Sequence, residues 1–137
     1  MTRDDTTHYF TPQEASKLLP DIKIKLREII ERKRLADSLK SEVEHLRLIG
    51  FEVTESKRKL RELDIVVKEL MQKMAELEDL GIIIRDIESG LVDFPADKFG
   101  DKVFLCWKYG EPEIEYWHGA NEGFSRRKSL KAHMISP

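Results

Sequence analysis

A single cysteine in 137 residues leaves no internal disulfide to form, which favours a reducing compartment. No apolar run approaches the roughly 18 residues that a membrane helix needs. The opening MTRDDTTHYF has no apolar core of the kind a secretory signal carries. A cytoplasmic protein without a membrane span is the expectation. Gly119 and Gly123, in WHGANEGF, match no phosphate-cradling glycine pattern. Ser125 and Ser129 lack the surroundings of a nucleophile elbow. One histidine and one cysteine in residues 81–124 exclude a zinc-finger-like site there.

What is present fits one domain, 1–137, long enough to bury a core without staples. Charged residues make up 36% and apolar residues 40%. Net charge is −2 but uneven: +2 over residues 1–75, −8 over 76–122 and +4 over 123–137. An acidic middle before a basic tail argues against the whole chain binding nucleic acid. Either the tail, 125–137, folds back on the acidic part, or the acidic part attracts a cation.

Residues 12–80 read as a helical hairpin. In FTPQE, Thr11 is an N-cap, Pro12 suits the first helical position and Glu14 completes a capping box. A seven-residue apolar repeat follows through Ala15, Ile22, Ile29, Ala36 and Val43, widened by Leu19, Leu26 and Ile30. Pro20 is expected to bend or restart the helix. Gly50 ends it, with Phe51 placed for a C-cap contact. Thr54 is expected to cap a second helix whose stripe is Leu60, Leu63, Val67, Leu70, Met74 and Leu77. A short link implies an antiparallel, coiled-coil-like pair in which residues near 57 oppose residues near 43. The first helix is the longer, so one partner helix cannot cover it, and a homodimer through the helices is the expectation.

Residues 81–124 change pattern. Ile82–Ile84, Leu91–Phe94, Val103–Trp107 and Glu113–His118 read as strands between turns at Ser89-Gly90, Gly100-Asp101 and Gly110-Glu111-Pro112. The fold class is therefore α+β, a long helical hairpin followed by a small antiparallel β-meander. Alternation puts Val103, Leu105 and Trp107 on one face of their strand and Phe104 and Cys106 on the other. In the last strand it groups Ile114, Tyr116 and His118 on the more apolar face, leaving Trp117 as the more exposed tryptophan.

Three stretches, FTPQEASKLLP, GLVDFPA and FLCWKYGEPEIEYWHGANEGFSRR, resemble the domain of unknown function 2203 family of prokaryotic proteins. The resemblance covers nearly the whole chain. It implies one compact unit of helical hairpin and β region, and no activity.

The chemistry-bearing residues gather in the β region. Asp93, Glu111, His118 and Glu122, with Asp86 nearby, form a mixed N/O pool suited to a first-row divalent metal such as Zn, Mn or Ni. Asp93 lies in the apolar LVDFP and needs a partner; Arg126, Arg127 or His118 can supply one, and a structural ion pair is the alternative reading. His118 has the reference pKa of a general acid–base. Cys106, among acidic neighbours, reads as buried and inert. Trp117, Arg126 and Arg127 are candidate contacts for a partner or ligand. The leading expectation is a non-catalytic homodimeric or partner-binding module. A metal-binding protein or metal-dependent enzyme is the first alternative, and a nucleic-acid accessory protein the second.

Overall fold

The computed structural model describes residues 7–50 and 53–131. The expected Phe51 contact lies outside them, as do the end of the basic tail and the first six residues. Helix α1 runs Pro12–Leu48 and helix α2 Val53–Asp79. The capping box forms: Glu14 N–H donates to Thr11 Oγ1 at 3.1 Å, and Thr11 N–H donates to Glu14 Oε1 at 3.2 Å. Helix α1 passes through Pro20 without restarting; Pro20 is exposed, so water can reach the carbonyl its ring leaves unpaired. Thr54 falls inside the first turn of α2 rather than before it.

The two helices are antiparallel neighbours. Lys59–Glu42 at 3.1 Å, Arg32–Glu69 at 3.6 Å, Lys73–Glu28 at 3.3 Å and Lys25–Glu76 at 3.1 Å bridge them in one common register. Such half-exposed pairs add little stability; they record which residues face each other. The expected opposition near 57 and 43 is realised by Lys59 and Glu42.

A five-stranded antiparallel meander follows in the order β1-β2-β3-β4-β5. Its strands are β1 Ile83–Asp86, β2 Leu91–Lys98, β3 Asp101–Lys108, β4 Tyr116–Gly119 and β5 Lys128–Ser129. Strand β2 continues through Pro95, beyond the expected end at Phe94. A proline is tolerated there because β1 pairs no further than Asp93. The Pro95 carbonyl accepts from Phe10 N–H at 2.7 Å, which ties the chain before α1 to the sheet. Strand β5 lies in the stretch read as a basic tail, so part of that tail completes the sheet.

The inner face of the sheet packs on the helices. Val92, Phe94 and Ala96 of β2, Val103, Leu105 and Trp107 of β3, and Trp117 of β4 join Ala15, Leu19, Ile22, Leu26, Ile29 and Leu77 in one core. The sheet therefore fills the wide stripe in the first half of α1, and no second copy is required to cover it. Farther along the hairpin a separate small core of Ala36, Leu39 and Val66 holds the helices to each other. The hairpin thus reaches past the sheet as a two-helix arm.

The alternation expected for the last strand needs correction. Residues 113–118 are not one continuous strand, since β4 begins at Tyr116. Ile114 and Trp117 both enter the core despite opposite parity, while His118 points to the outer face. Trp117 is 6% exposed, not the exposed tryptophan. Among the described residues no helix is long and apolar enough to cross a membrane.

The turn between β2 and β3 is a two-residue loop, Phe99-Gly100, with φ of 51° and 90°. Left-handed φ at both positions is the type I′ pattern, which favours Asn-Gly. Phe99 is 79% exposed and gains no packing for its strain. Two substitutions separate these environments in urea unfolding. Phe94→Ala, in the core, is expected to destabilise by about 3–5 kcal/mol. Phe99→Asn is expected to stabilise by about 1 kcal/mol. A destabilising Phe99→Asn contradicts the reading of Phe99 as strained and unpacked.

Candidate metal centre

The outer face of the sheet carries polar groups that the sequence separates widely. Register sets Asp93 of β2 opposite Cys106 of β3, and His118 of β4 opposite Phe104, one diagonal step from Cys106. Asp93 is 1% exposed, Cys106 is fully buried and His118 is 3% exposed. One ligand-type atom from each lies within 4.8 Å of the other two. Arg85 comes from β1, where the register slips between Ile84 and Asp86 and leaves it unpaired in a bulge. Alternation from Ile83, the partner of Asp93, keeps Arg85 on the outer face. Here Arg85 reaches Asp93.

A carboxylate this deep must be neutralised or bonded. Asp93 Oδ2 accepts from Arg85 Nε at 2.7 Å and from His118 Nε2 at 3.0 Å. Asp93 Oδ1 is buried with no hydrogen-bond partner among the described residues. His118 Nδ1 lies 2.9 Å from the Gly119 carbonyl. Both imidazole nitrogens thus face acceptors, an arrangement satisfied when both carry protons. Burial alone favours neutral forms, raising Asp93 and lowering His118. The bonds outweigh it: His118 and Arg85 hold the Asp93 carboxyl below its ordinary 3.8, and Asp93 and Gly119 hold His118 above its ordinary 6.5.

Cys106 is no nucleophile in this setting. Burial pushes its thiol up to about 12, and the Asp93 charge adds to the rise; the Arg127 guanidinium opposes it. With both nitrogens of His118 engaged, no free imidazole lone pair is available as a base.

The other expected site residues sit elsewhere. Glu111 Oε1 accepts from Lys108 N–H at 2.8 Å and Arg127 Nη1 at 3.0 Å, closing the turn after β3. Glu122 accepts from Gly119 N–H at 2.8 Å and Lys128 Nζ at 2.6 Å. Lys128 first, then the Gly119 amide, hold its carboxyl below the usual range. Asp86 caps the β1–β2 turn through Ser89. Arg127 stacks on Tyr116 and Phe124, each at 4.1 Å. Arg126 is mostly exposed and stands 3.9 Å from Glu122. Arg126, Arg127 and Lys128 therefore fold back on acids, and the partners of Asp93 are His118 and Arg85 rather than Arg126 or Arg127. Of the expected ligand pool, Asp93 and His118 meet; Glu122 borders the same cavity; Glu111 does not line it.

That cavity has a volume of about 260 Å³ and opens between β1, β2 and the loop after β4. Arg85, Asp93, His118 and Glu122 form its polar wall, and Leu91, Ala120 and Phe124 its apolar wall. Arg85 and Cys106 were missed as site residues in the sequence. The alternation of β3 did put Cys106 opposite the helix-packed face. Arg85 was not marked because the expected strand stopped at Ile84; alternation from Ile83, which pairs with Asp93, carries Arg85 to the same face.

Residues 8–130 match the family described as Uncharacterized conserved protein (DUF2203), and the chain belongs to that family. No curated protein and no solved structure matches it.

The ion pair gives a signed pH dependence for the metal-free protein. The His118 contribution is fully present below pH 6.5 and is lost as pH rises through its elevated folded pKa. The Asp93 contribution is present above pH 3.8 and is lost as pH falls through its depressed folded pKa. The stability difference between wild type and His118→Gln, from urea unfolding, is therefore expected to be largest between these two values and to shrink above pH 6.5. A difference that grows from pH 6 to pH 9 contradicts the charged pair.

Proposed function

We propose that this chain binds one divalent metal ion of the zinc class through Asp93, Cys106 and His118, with a fourth coordination position open to the cavity. The observation that carries the reading is the convergence of buried oxygen, sulfur and nitrogen donors, each with an outer partner. His118 Nδ1 is oriented by the Gly119 carbonyl, which leaves Nε2 directed at the other two residues. Arg85 bonds the Asp93 carboxylate. Arg127 lies beside the Cys106 sulfur and favours its thiolate. Outer contacts of this kind orient ligands and tune a bound metal.

Distances and charge both allow it. Bonds of about 2.0–2.3 Å at tetrahedral angles place two ligand atoms of one zinc roughly 3.3–3.6 Å apart, so the three ligand atoms, now within 4.8 Å of one another, close by up to about 1 Å on binding. A divalent ion that displaces the thiol proton and one imidazole proton leaves the local charge unchanged. Arg85 then faces the same net field with or without the metal. A thiolate and an imidazole favour zinc over manganese. Three protein ligands with an open position is the pattern of working rather than purely structural zinc.

Zinc titration of chelator-treated protein is the test. One equivalent is expected to bind, and zinc at about 100 times Kd should stabilise the fold by about 2.7 kcal/mol. Cys106→Ser should weaken that binding strongly while the variant remains folded. A wild type whose melting temperature ignores zinc, or a Cys106→Ser variant that binds as well as wild type, contradicts the reading.

A second reading, a partner-binding module or homodimer acting through the helices in the cytoplasm, is favoured by the two-helix arm. The arm has its own small core and leaves Leu35, Leu48 and Ile65 at 44%, 85% and 60% exposure. In sedimentation equilibrium a homodimer gives twice the 16.0 kDa chain mass, and Ile65→Lys should dissociate it. A 16.0 kDa species at tens of micromolar contradicts self-association.

A further inference from the structure

We propose that the cavity beside Asp93 and His118 takes a small monocarboxylate, held by the Arg85 guanidinium and by the open position on the metal; this rests on the metal reading above.

Arg85 is placed for an anion. Of its guanidinium nitrogens only Nε is used in a hydrogen bond to another described residue, Asp93. The group lines the cavity and lies over the Phe104 ring, 4.8 Å from its centroid. A bond at Nε and a ring beneath fix the plane of the fork and leave both Nη groups to donate. That geometry matches a carboxylate, which accepts two parallel N–H bonds.

The rest of the wall limits the charge and the size. Glu122 borders the cavity with Lys128 Nζ bonded to it at 2.6 Å, and the Asp93 carboxylate stands beside Arg85 in the same wall. In the loaded site the metal's two charges are answered by the Asp93 carboxylate and the Cys106 thiolate, and Glu122 by Lys128. The Arg85 guanidinium then leaves one positive charge for the ligand, which suits a carboxylate monoanion better than a phosphate dianion. Leu91, Ala120 and Phe124 offer an apolar surface to a short tail. The volume, about 260 Å³, falls below the roughly 300–1,000 Å³ of sites for drug-sized ligands, so a nucleotide is too large. Glu122 Oε1 already accepts two bonds, from Gly119 and Lys128, and Asp93 is committed to Arg85 and, in the loaded site, to the metal, so neither carboxylate is placed to act as a base. Capture of the acid, rather than hydrolysis, suits these groups.

Cobalt(II) in place of zinc, in the full chain, separates the two layers of the claim. The thiolate-to-cobalt charge-transfer band reports the metal on Cys106, and the d–d bands report entry of an anion. Acetate, propionate and butyrate are expected to shift the d–d bands saturably. Affinity should rise by about fourfold for each added methylene. Inorganic phosphate should bind more weakly than butyrate. At full cobalt loading, Arg85→Gln should lose about tenfold or more in butyrate affinity, and Arg85→Lys should fall between it and wild type. A strong thiolate band with d–d bands indifferent to butyrate overturns the carboxylate site and leaves the metal centre standing. Phosphate binding tighter than butyrate, no gain with tail length, or an Arg85→Gln variant equal to wild type also overturns it. Absence of the thiolate band overturns the metal centre and this site together.

Discussion

A carboxylate in the middle of a sheet, 1% exposed, has to be answered where it stands, and the outer face of this protein is organised by that demand. Asp93 belongs to β2. It draws Arg85 from a bulge in β1 and His118 from β4, and it lies opposite Cys106 of β3. Four strands thus meet at one side chain. Breaking such a buried pair by removing one partner is expensive, about 3–5 kcal/mol, because the charge left behind has no solvent. Stability alone is a weak reason to keep such a pair, because a well-packed apolar group in its place is often neutral or better. It is on this charged, buried, half-satisfied cluster beside a cavity that the proposed metal reading rests.

The two faces of the sheet use different physics. The inner face is a dry core with Trp107 and Phe94 fully buried against α1 and α2. The outer face is closed by the returning chain after β4, through cations laid on rings and on acids. Arg127 sits between Tyr116, Phe124 and Glu111, and Lys128 binds Glu122. These contacts are partly solvated and individually modest. They build a wall that leaves a cavity beside Asp93 instead of filling it. The helical arm is a third element, held by its own small core and independent of the sheet's contacts.

The helices were the most legible part of the sequence. Their spacing, the Thr11 capping box and the antiparallel register follow from local periodicity, which needs no knowledge of distant residues. The face of each strand was legible only where the strand was regular. Val103, Leu105 and Trp107 were grouped correctly, whereas Trp117 and His118 were assigned to the wrong sides because β4 starts three residues later than the pattern suggested. Asp93 was recognisable as a carboxylate in need of a partner, and His118 was among the partners considered. Arg85 was not, since it lies one residue past the expected strand end at Ile84, and the strand that neighbours Asp93 is a property of the register. Cys106 was correctly read as buried, but its place beside Asp93 is a property of the β2–β3 register. The expected dimer rested on a wide stripe with too few partners, and the sheet itself fills that stripe.

The protonation state of His118 in the metal-free protein tests the central claim most directly. Long-range proton–nitrogen spectra resolve the two ring nitrogens. With Nδ1 facing the Gly119 carbonyl and Nε2 facing Asp93, both should carry protons at pH 6.5 and remain so above it, with the titration midpoint above that value. A His118 that is already neutral at pH 6.5, with its midpoint below, would mean that Asp93 is not the fixed charge around which this face is built.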